Sequence, residues 1–310
     1  MMAAVWEYDR FYAFMRPYVD WTARLCFRSV RIEGRDRIPA DGAILFAPNH
    51  CAAMMDPLLV LQLHKGPVAF GARSDIFANP LMAKVLRFLR IVPIARERNG
   101  MSEVAKNFAV IDEIVECLGH GVPFCLFSEG THRPERGMMP VKKGIFRIAR
   151  KAADELDVPV RIVPVGIDYE DFFQGQRRMC IRVGKPIDIG AYIAQRPEAT
   201  DAEIYSSLCK ELRERILALI GRIPERRHDR IGRRILLSVL SLPLFLLCGV
   251  LSCLIWIPDL ILTAIQEDKA WAYTTHFGCR FLLPVLWPFH TAFERLRNSY
   301  SDLIDDLKTR

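Results

Sequence analysis

No two of the nine cysteines form a CxxC pair, and none fits a zinc-ligand spacing. Their number is odd, and Cys125, Cys248 and Cys253 lie in apolar runs, where cysteine behaves as a small hydrophobe. A disulfide-stapled or zinc-built domain is therefore set aside, and the thiols are expected to be reduced in a chain facing the cytosol. The opening stretch MMAAVWEYDRFYAFMRPY lacks a basic start, an unbroken apolar core and a small-residue cleavage site, so it does not read as a signal peptide. Internal repeats and low-complexity tracts are absent. His64, His120, His228, His276 and His290 are scattered without metal-ligand spacing, and no metal is expected. The net charge of +7 suits an anionic partner. No nucleic-acid-binding motif accompanies that charge, which leaves anionic lipid or a phosphorylated substrate and no nucleic acid.

What is present is an alternation of short apolar runs with longer helical stretches between Cys26 and Ile220. Strand candidates are Val30–Glu33, Ala43–Ala47, Val68–Ala72, Val92–Ala95, Pro123–Phe127, Val160–Gly166 and Cys180–Val183. Helix candidates fall near 57–64, 80–90, 101–119, 143–156 and 202–220. This order predicts an α/β domain with a mixed, largely parallel sheet flanked by helices. In such sheets, function gathers on loops at strand ends.

The flanks differ in composition. Residues 1–25 predict an aromatic-rich amphipathic helix over 3–25, placed either at a membrane interface or against the domain. After the domain, 26–220, comes a basic juxtamembrane linker, 221–234. Ile235–Ile257 then runs 23 residues without a charge. As a helix it would be about 35 Å long, against about 30 Å for a hydrocarbon core. A second apolar stretch, Trp271–Phe289, is interrupted by Arg280, Pro284 and Pro288. Residues 235–289 are thus expected to form a membrane-embedded hairpin or helix pair, with 290–310 a polar tail. The arginines before Ile235 and the net negative QEDK at 266–269 place residues 1–230 on the cytosolic side of the membrane, by the positive-inside rule. The same arginines suit anionic membrane lipids.

Four short blocks carry polar residues into this scaffold: NHCAAMMD (49–56), VPIARERNG (92–100), FSEGTHRPERG (127–137) and VPVGIDY (163–169). Together, in this order, they resemble the motifs of the glycerolipid acyltransferases, the glycerol-3-phosphate and 1-acylglycerol-3-phosphate acyltransferases. Three departures mark a branch of that family. Five residues rather than four separate His50 from Asp56, Ser128 stands where Pro is usual, and His132 precedes Arg133 where Arg would follow directly. The run PVKKGIFRIA, Pro140 to Ala149, belongs to the same branch pattern. The resemblance implies a membrane-bound O-acyltransferase of the cytoplasmic membrane of a bacterium, acting in phospholipid synthesis. Its acyl donor would be acyl-CoA or acyl-carrier protein, with no cofactor. Its acceptor would be glycerol 3-phosphate, 1-acylglycerol 3-phosphate or, alternatively, another lysolipid such as a lyso-ornithine lipid. A non-catalytic lipid-binding membrane protein is the remaining reading.

The residue types fit acyl transfer to an alcohol. A neutral imidazole suits removal of a hydroxyl proton, and a carboxylate on its other nitrogen fixes the tautomer. His50 is the expected general base and Asp56 its orienter. The two lie about 240° apart on a regular helix, so the pair requires a loop or an irregular turn between them. Asp56 has a rival role as N-cap of the helix 57–64. By resemblance, Asn49, Arg96, Glu129, Gly130, Thr131, His132 and Arg133 belong to the substrate site. Arg96 and Arg133 are the phosphate contacts, and Lys142 and Lys143 add charge. Cys51 is read as packing rather than as a nucleophile.

Overall fold

The computed structural model describes residues 4–95, 101–223 and 231–308, with backbone alone for 101–107. Its centre is a mixed sheet of eight strands: β1 (Ser29–Glu33), β2 (Ala43–Pro48), β3 (Ala69–Arg73), β4 (Ile91–Ile94), β5 (Phe124–Cys125), β6 (Val160–Tyr169), β7 (Arg178–Val183) and β8 (Ile187–Asp188). The order across the sheet is β1-β7-β6-β2-β5-β3-β4, with β8 also paired to β6. Strands β2 to β6 are mutually parallel; β7 and β8 run antiparallel to β6. The mixed, largely parallel sheet expected from the alternation is the one observed.

Strand β2 shows why the sheet has two cores. Ala43, Leu45 and Ala47 enter one cluster, while Ile44 and Phe46 enter the other, as the two-residue period of a strand requires. The first cluster is covered by α4 (Met101–Gly119), α5 (Gly144–Glu155), α6 (Ile189–Ala194) and α7 (Asp201–Leu217). The second is covered by α2 (Met55–Leu61) and by residues from both flanks of the domain, Ala23 and Tyr273 among them. Helix α3 (Pro80–Phe88) starts at an Asn79 cap and a first-turn proline.

The flanks depart from the expected boundaries. Helix α1 covers Arg10–Leu25, capped by Asp9, which accepts from the Tyr12 N–H at 2.7 Å. The described residues before it, 4–9, are not helical: Val5 enters the core and Trp6 stacks on His120. Helix α1 packs on the domain along one side. Arg16 is buried, whereas Phe14 and Trp21 face outward. The apolar run forms one helix, α8 (Ile231–Ile265), longer than its charge-free stretch. The second apolar stretch breaks into α9 (Ala272–Leu282) and the start of α10 (Trp287–Lys308). Helix α9 rises only about 16 Å, half a hydrocarbon core. The expected polar tail is mostly α10, with Phe293, Asn298 and Leu303 among its buried residues. The linker positions 224–230 lie outside the described residues.

Candidate active site

Every block except the second can be followed to its end in the structure. The first and third lie beyond the carboxyl ends of β2 and β5, where an α/β sheet opens a crevice, and the fourth runs along β6 to its end. β2 delivers Asn49 and His50, β5 delivers Phe127 to Glu129, and β6 carries Tyr169. β4 ends at Ile94, and Arg96 lies outside the described residues.

His50 and Asp56 meet. His50 Nδ1 lies 2.8 Å from Asp56 Oδ2. The same oxygen accepts the backbone N–H groups of Cys51 at 2.7 Å and Ala52 at 2.8 Å. These bonds curl residues 50–52 around the carboxylate, which is the irregular turn the six-residue spacing demands. Asp56 itself is helical, second in α2, and its side chain reaches back toward the loop. It caps nothing downstream, so the rival role is not the one taken. Pro57 sits in the first turn, where no intrahelical N–H is needed.

The other carboxylate oxygen, Oδ1, accepts the Tyr169 hydroxyl at 2.5 Å. Asp56 and Tyr169 are both fully buried. Burial, then the negative charge of Asp56, hold the phenol far above its ordinary range, so it remains a donor. Four donors thus converge on one buried carboxylate, an arrangement that compensates its desolvation. With Nδ1–H given to Asp56, the basic lone pair of neutral His50 lies on Nε2. The imidazole is stacked on Phe127, with ring centroids 4.0 Å apart. It stays 14% exposed, open to a substrate hydroxyl.

Two of the expected substrate residues are spent on the scaffold. Asn49 is buried, its amide clasping Ile167 through Nδ2 to the carbonyl at 3.0 Å and the N–H to Oδ1 at 2.7 Å. Glu129 is buried too, and accepts the N–H of His50 and of Met139, each at 2.7 Å. Burial pushes its carboxyl up, against the lowering effect of those two N–H groups. Both residues hold His50 in place from behind. Gly130 has φ +71, a left-handed turn that favours glycine, and the Lys142 side chain lies over it. Lys143 instead forms the exposed N-cap of α5, so Lys142 is the lysine brought to this turn.

The rim is polar. Thr131 is exposed, and the Arg133 N–H donates to the His50 carbonyl at 3.2 Å while its guanidinium is more than half exposed beside Glu135. His132 lies edge-on to His50, with centroids 5.1 Å apart, and its Nε2 is 2.6 Å from Asp268 Oδ2. Partial burial works to raise the Asp268 carboxyl, but the His132 hydrogen bond, the Ala270 N–H and the His132 charge together outweigh it, and the group sits below its usual range. Trp271 also stands edge-on to His132. Cys51 is buried, and desolvation, then Asp56, push its thiol far up, which leaves it without nucleophilic character.

Sequence reasoning missed Tyr169, Phe127, Asp268 and Trp271. The first two stood inside quoted blocks, yet nothing in their spacing showed which strand face they would take. The last two come from the C-terminal flank, about 140 residues further along. Elsewhere, ligand atoms of Asp259, His290 and Glu294 lie within 4.8 Å of one another. The Arg280 guanidinium pairs with Glu294 there and supplies the countercharge.

Comparison with known proteins matches residues 29–168 to the family model described as Acyltransferase. A 1-acyl-sn-glycerol-3-phosphate acyltransferase of Chlamydomonas reinhardtii is 26% identical over 190 residues, 60% of this chain and 55% of that protein. One of Bacillus subtilis (strain 168) is 23% identical over 190 residues, 60% of this chain and 89% of that protein. A chloroplastic one of Brassica napus is 24% identical over 141 residues, 45% of this chain and 39% of that protein. The chain therefore spans about half the length, or less, of the two plant and algal relatives. Among solved structures, the 1-acyl-sn-glycerophosphate acyltransferase of Thermotoga maritima gives a TM-score of 0.49 at 21% identity, covering 71% of this chain and 86% of that one.

Proposed function

From its place in the glycerolipid acyltransferase family, to which residues 29–168 assign it, we propose that this chain transfers a fatty acyl group from a thioester to a phosphorylated glycerol acceptor. The donor is acyl-CoA or acyl-carrier protein, and the acceptor is glycerol 3-phosphate or 1-acylglycerol 3-phosphate. One observation carries the reading: His50 Nδ1 bound at 2.8 Å to an Asp56 carboxylate that four donors fix in place.

The reaction follows from that geometry. The acceptor hydroxyl attacks the thioester carbonyl while His50 Nε2 takes its proton, and Asp56 stabilises the imidazolium. The tetrahedral intermediate collapses, the C–S bond breaks, and His50 returns the proton to the departing thiolate. The alcohol is the nucleophile, so no acyl-enzyme forms. Arg133, His132 and Lys142 line the rim where the acceptor phosphate would bind, with Arg96 expected beside them. The chain meets the membrane through α8, with its catalytic domain on the cytosolic side.

Purified protein in detergent is assayed with labelled glycerol 3-phosphate, lysophosphatidate and lyso-ornithine lipid, each with acyl-CoA and with acyl-carrier protein. His50→Ala is expected to lower kcat by about 10²–10⁴-fold. Arg133→Ala is expected to raise the KM of phosphate-bearing acceptors. Undiminished turnover by His50→Ala would sink the mechanism. Turnover confined to the lyso-ornithine lipid would move the acceptor to the other lysolipid class.

A further inference from the structure

The polar residues of α8 share one stripe. Arg234, Ser238, Ser241, Ser252 and Asp259 recur at helical intervals, and the buried positions of α8 are Cys248, Ser252, Ile255 and Asp259. That stripe faces α10 and α9. Arg234 pairs with Asp306, Ser241 Oγ lies 2.9 Å from the Tyr300 hydroxyl, and Phe245 stacks on Phe293 at 5.1 Å. Trp256 meets Phe293 edge-on, and Asp259 binds His276 at 2.7 Å. The other faces of α8 carry outward leucines and valines: Leu240 is 68% exposed, Val250 73% and Leu254 67%.

Helix α10 is tied by its opposite side to the catalytic domain. Asp302 binds Arg177 at 2.9 Å, Asn298 Nδ2 donates to the Gly175 carbonyl at 2.8 Å, and Arg295 Nε donates to Gln176 at 2.9 Å. From Arg234 to Trp256, about 33 Å of rise, one helix therefore separates α8 from the catalytic domain. The register sets Arg295 about 15 Å along α8 from Ile235. If α8 crossed a bilayer upright from Ile235, Arg295, Asp302 and Arg177 would be carried into the hydrocarbon, a costly position for charge.

We infer that α8 lies flat in one leaflet and does not cross the bilayer. Its apolar faces sit among the acyl chains, and its polar stripe holds α10 above them. This takes as premise the membrane association proposed above. The occupant is the leaflet rather than a second copy of the chain, on two grounds. In the sequence, the run RIPERRHDRIGRR, six arginines against two acids, leads directly into the apolar stretch and suits anionic headgroups. The apolar surface also continues past α8, onto residues of α1 and α10. An apolar groove of about 480 Å³ joins Trp21 of α1, Leu244 of α8 and Trp287 of α10, and Phe14, Leu282 and Val285 are exposed near it in the chain. Monomeric surfaces rarely expose so continuous an apolar face. The end of α8 leads into the turn bearing Asp268 and Trp271, so the leaflet lies beside the rim of the active site and a lysolipid reaches His50 without leaving the interface.

Nitroxides at Leu240→Cys, Leu247→Cys, Leu254→Cys and Ile261→Cys sample one helical face, because seven residues make nearly two turns. The full chain is reconstituted in phosphatidylglycerol–phosphatidylethanolamine vesicles, and label depth is read from oxygen against a water-soluble nickel chelate. Equal depths at all four positions are expected. A graded spread approaching 31 Å, the rise between Leu240 and Ile261, would overturn the inference. So would labels shielded from both relaxants, the signature of a protein interface. As a check independent of those variants, Glu267→Cys should react with an impermeant maleimide from the same membrane face as Glu198→Cys. Reaction from the opposite face refutes flat insertion. Failure of the wild-type chain to float with vesicles refutes the membrane association itself.

Discussion

Replacing Tyr169 by Phe removes a single oxygen from the site and leaves the ring packing intact. That hydroxyl is the bond to Asp56 Oδ1, 2.5 Å long, between two groups with no solvent access. The substitution leaves one carboxylate oxygen buried without its donor, and water has no path to replace it. Hydrogen bonds to charged groups are worth about 1.5–3 kcal/mol. At 1.36 kcal/mol per factor of ten, full expression of that loss in the transition state lowers kcat by about 10–150-fold. The transition state is where it should appear. On the proposed mechanism, Asp56 stabilises the imidazolium that forms as His50 takes the proton, and the carboxylate does so only while held in register by its other donors. The expected result for Tyr169→Phe is therefore a kcat reduced at least tenfold, with the acceptor KM unchanged within about a factor of two. Initial rates under saturating acyl donor measure both, and thermal unfolding of the same preparation measures the stability cost. Wild-type kcat in a variant with reduced Tm would refute the reasoning, because the bond would then serve the fold and not the base. Wild-type values of both would mean that the bond is not made in solution.

Three further outcomes test the surrounding geometry. Gly130→Ala forces an L-residue into φ +71, at a cost of about 1–2 kcal/mol. A lower Tm and a kcat/KM reduced about tenfold are expected, and an unchanged profile would show that the turn relaxes freely. Asp268→Asn removes the charge opposite His132 Nε2. The acceptor KM should rise several-fold at nearly constant kcat, with recovery in Asp268→Glu, and a selective kcat loss would place His132 in the chemistry. Glu129→Gln sets an amide N–H₂ against one of two backbone donors, a mismatch of about 1–3 kcal/mol. Reduced Tm with reduced kcat is expected, and a change in acceptor KM alone would return Glu129 to direct substrate contact.

Much of the domain was legible because its strands are short apolar runs between well-marked helices. The seven predicted strands each overlap an observed one, and the five predicted helices lie within a few residues of α2, α3, α4, α5 and α7. The two-residue β8 and the six-residue α6 were missed, being too short to carry a period. At the site, the pairing of His50 with Asp56 was legible as a requirement for an irregular turn. The device that builds it, two backbone N–H groups folded back onto the carboxylate, has no sequence signal. Nor could spacing separate residues facing substrate from those braced behind it. Asn49 and Glu129 have the polarity of binding residues, and only burial and hydrogen-bond partners show that both are occupied by backbone groups.

The C-terminal helices read as a membrane appendage, since hydropathy reports what a helix avoids and not what it touches. Their packing makes them part of the site. Tyr273, fully buried at the start of α9, lies 5.3 Å from the ring of Tyr169, and its hydroxyl is shared by the carbonyls of Asp171 and Gln174. The family match ends at Asp168, one residue before Tyr169. The shell that fixes Asp56 thus straddles the end of the family match. The turn between α8 and α9 adds Asp268 and Trp271 to the rim, on the same side as the apolar helix. A displacement of α8 would be transmitted through a short, capped turn to His132, and through Tyr273 to the donor on Asp56. On the proposed function, anchoring through α8 and proton transfer at His50 would be linked through two separate contacts, one through Asp268 to His132 and one through Tyr273 to Tyr169.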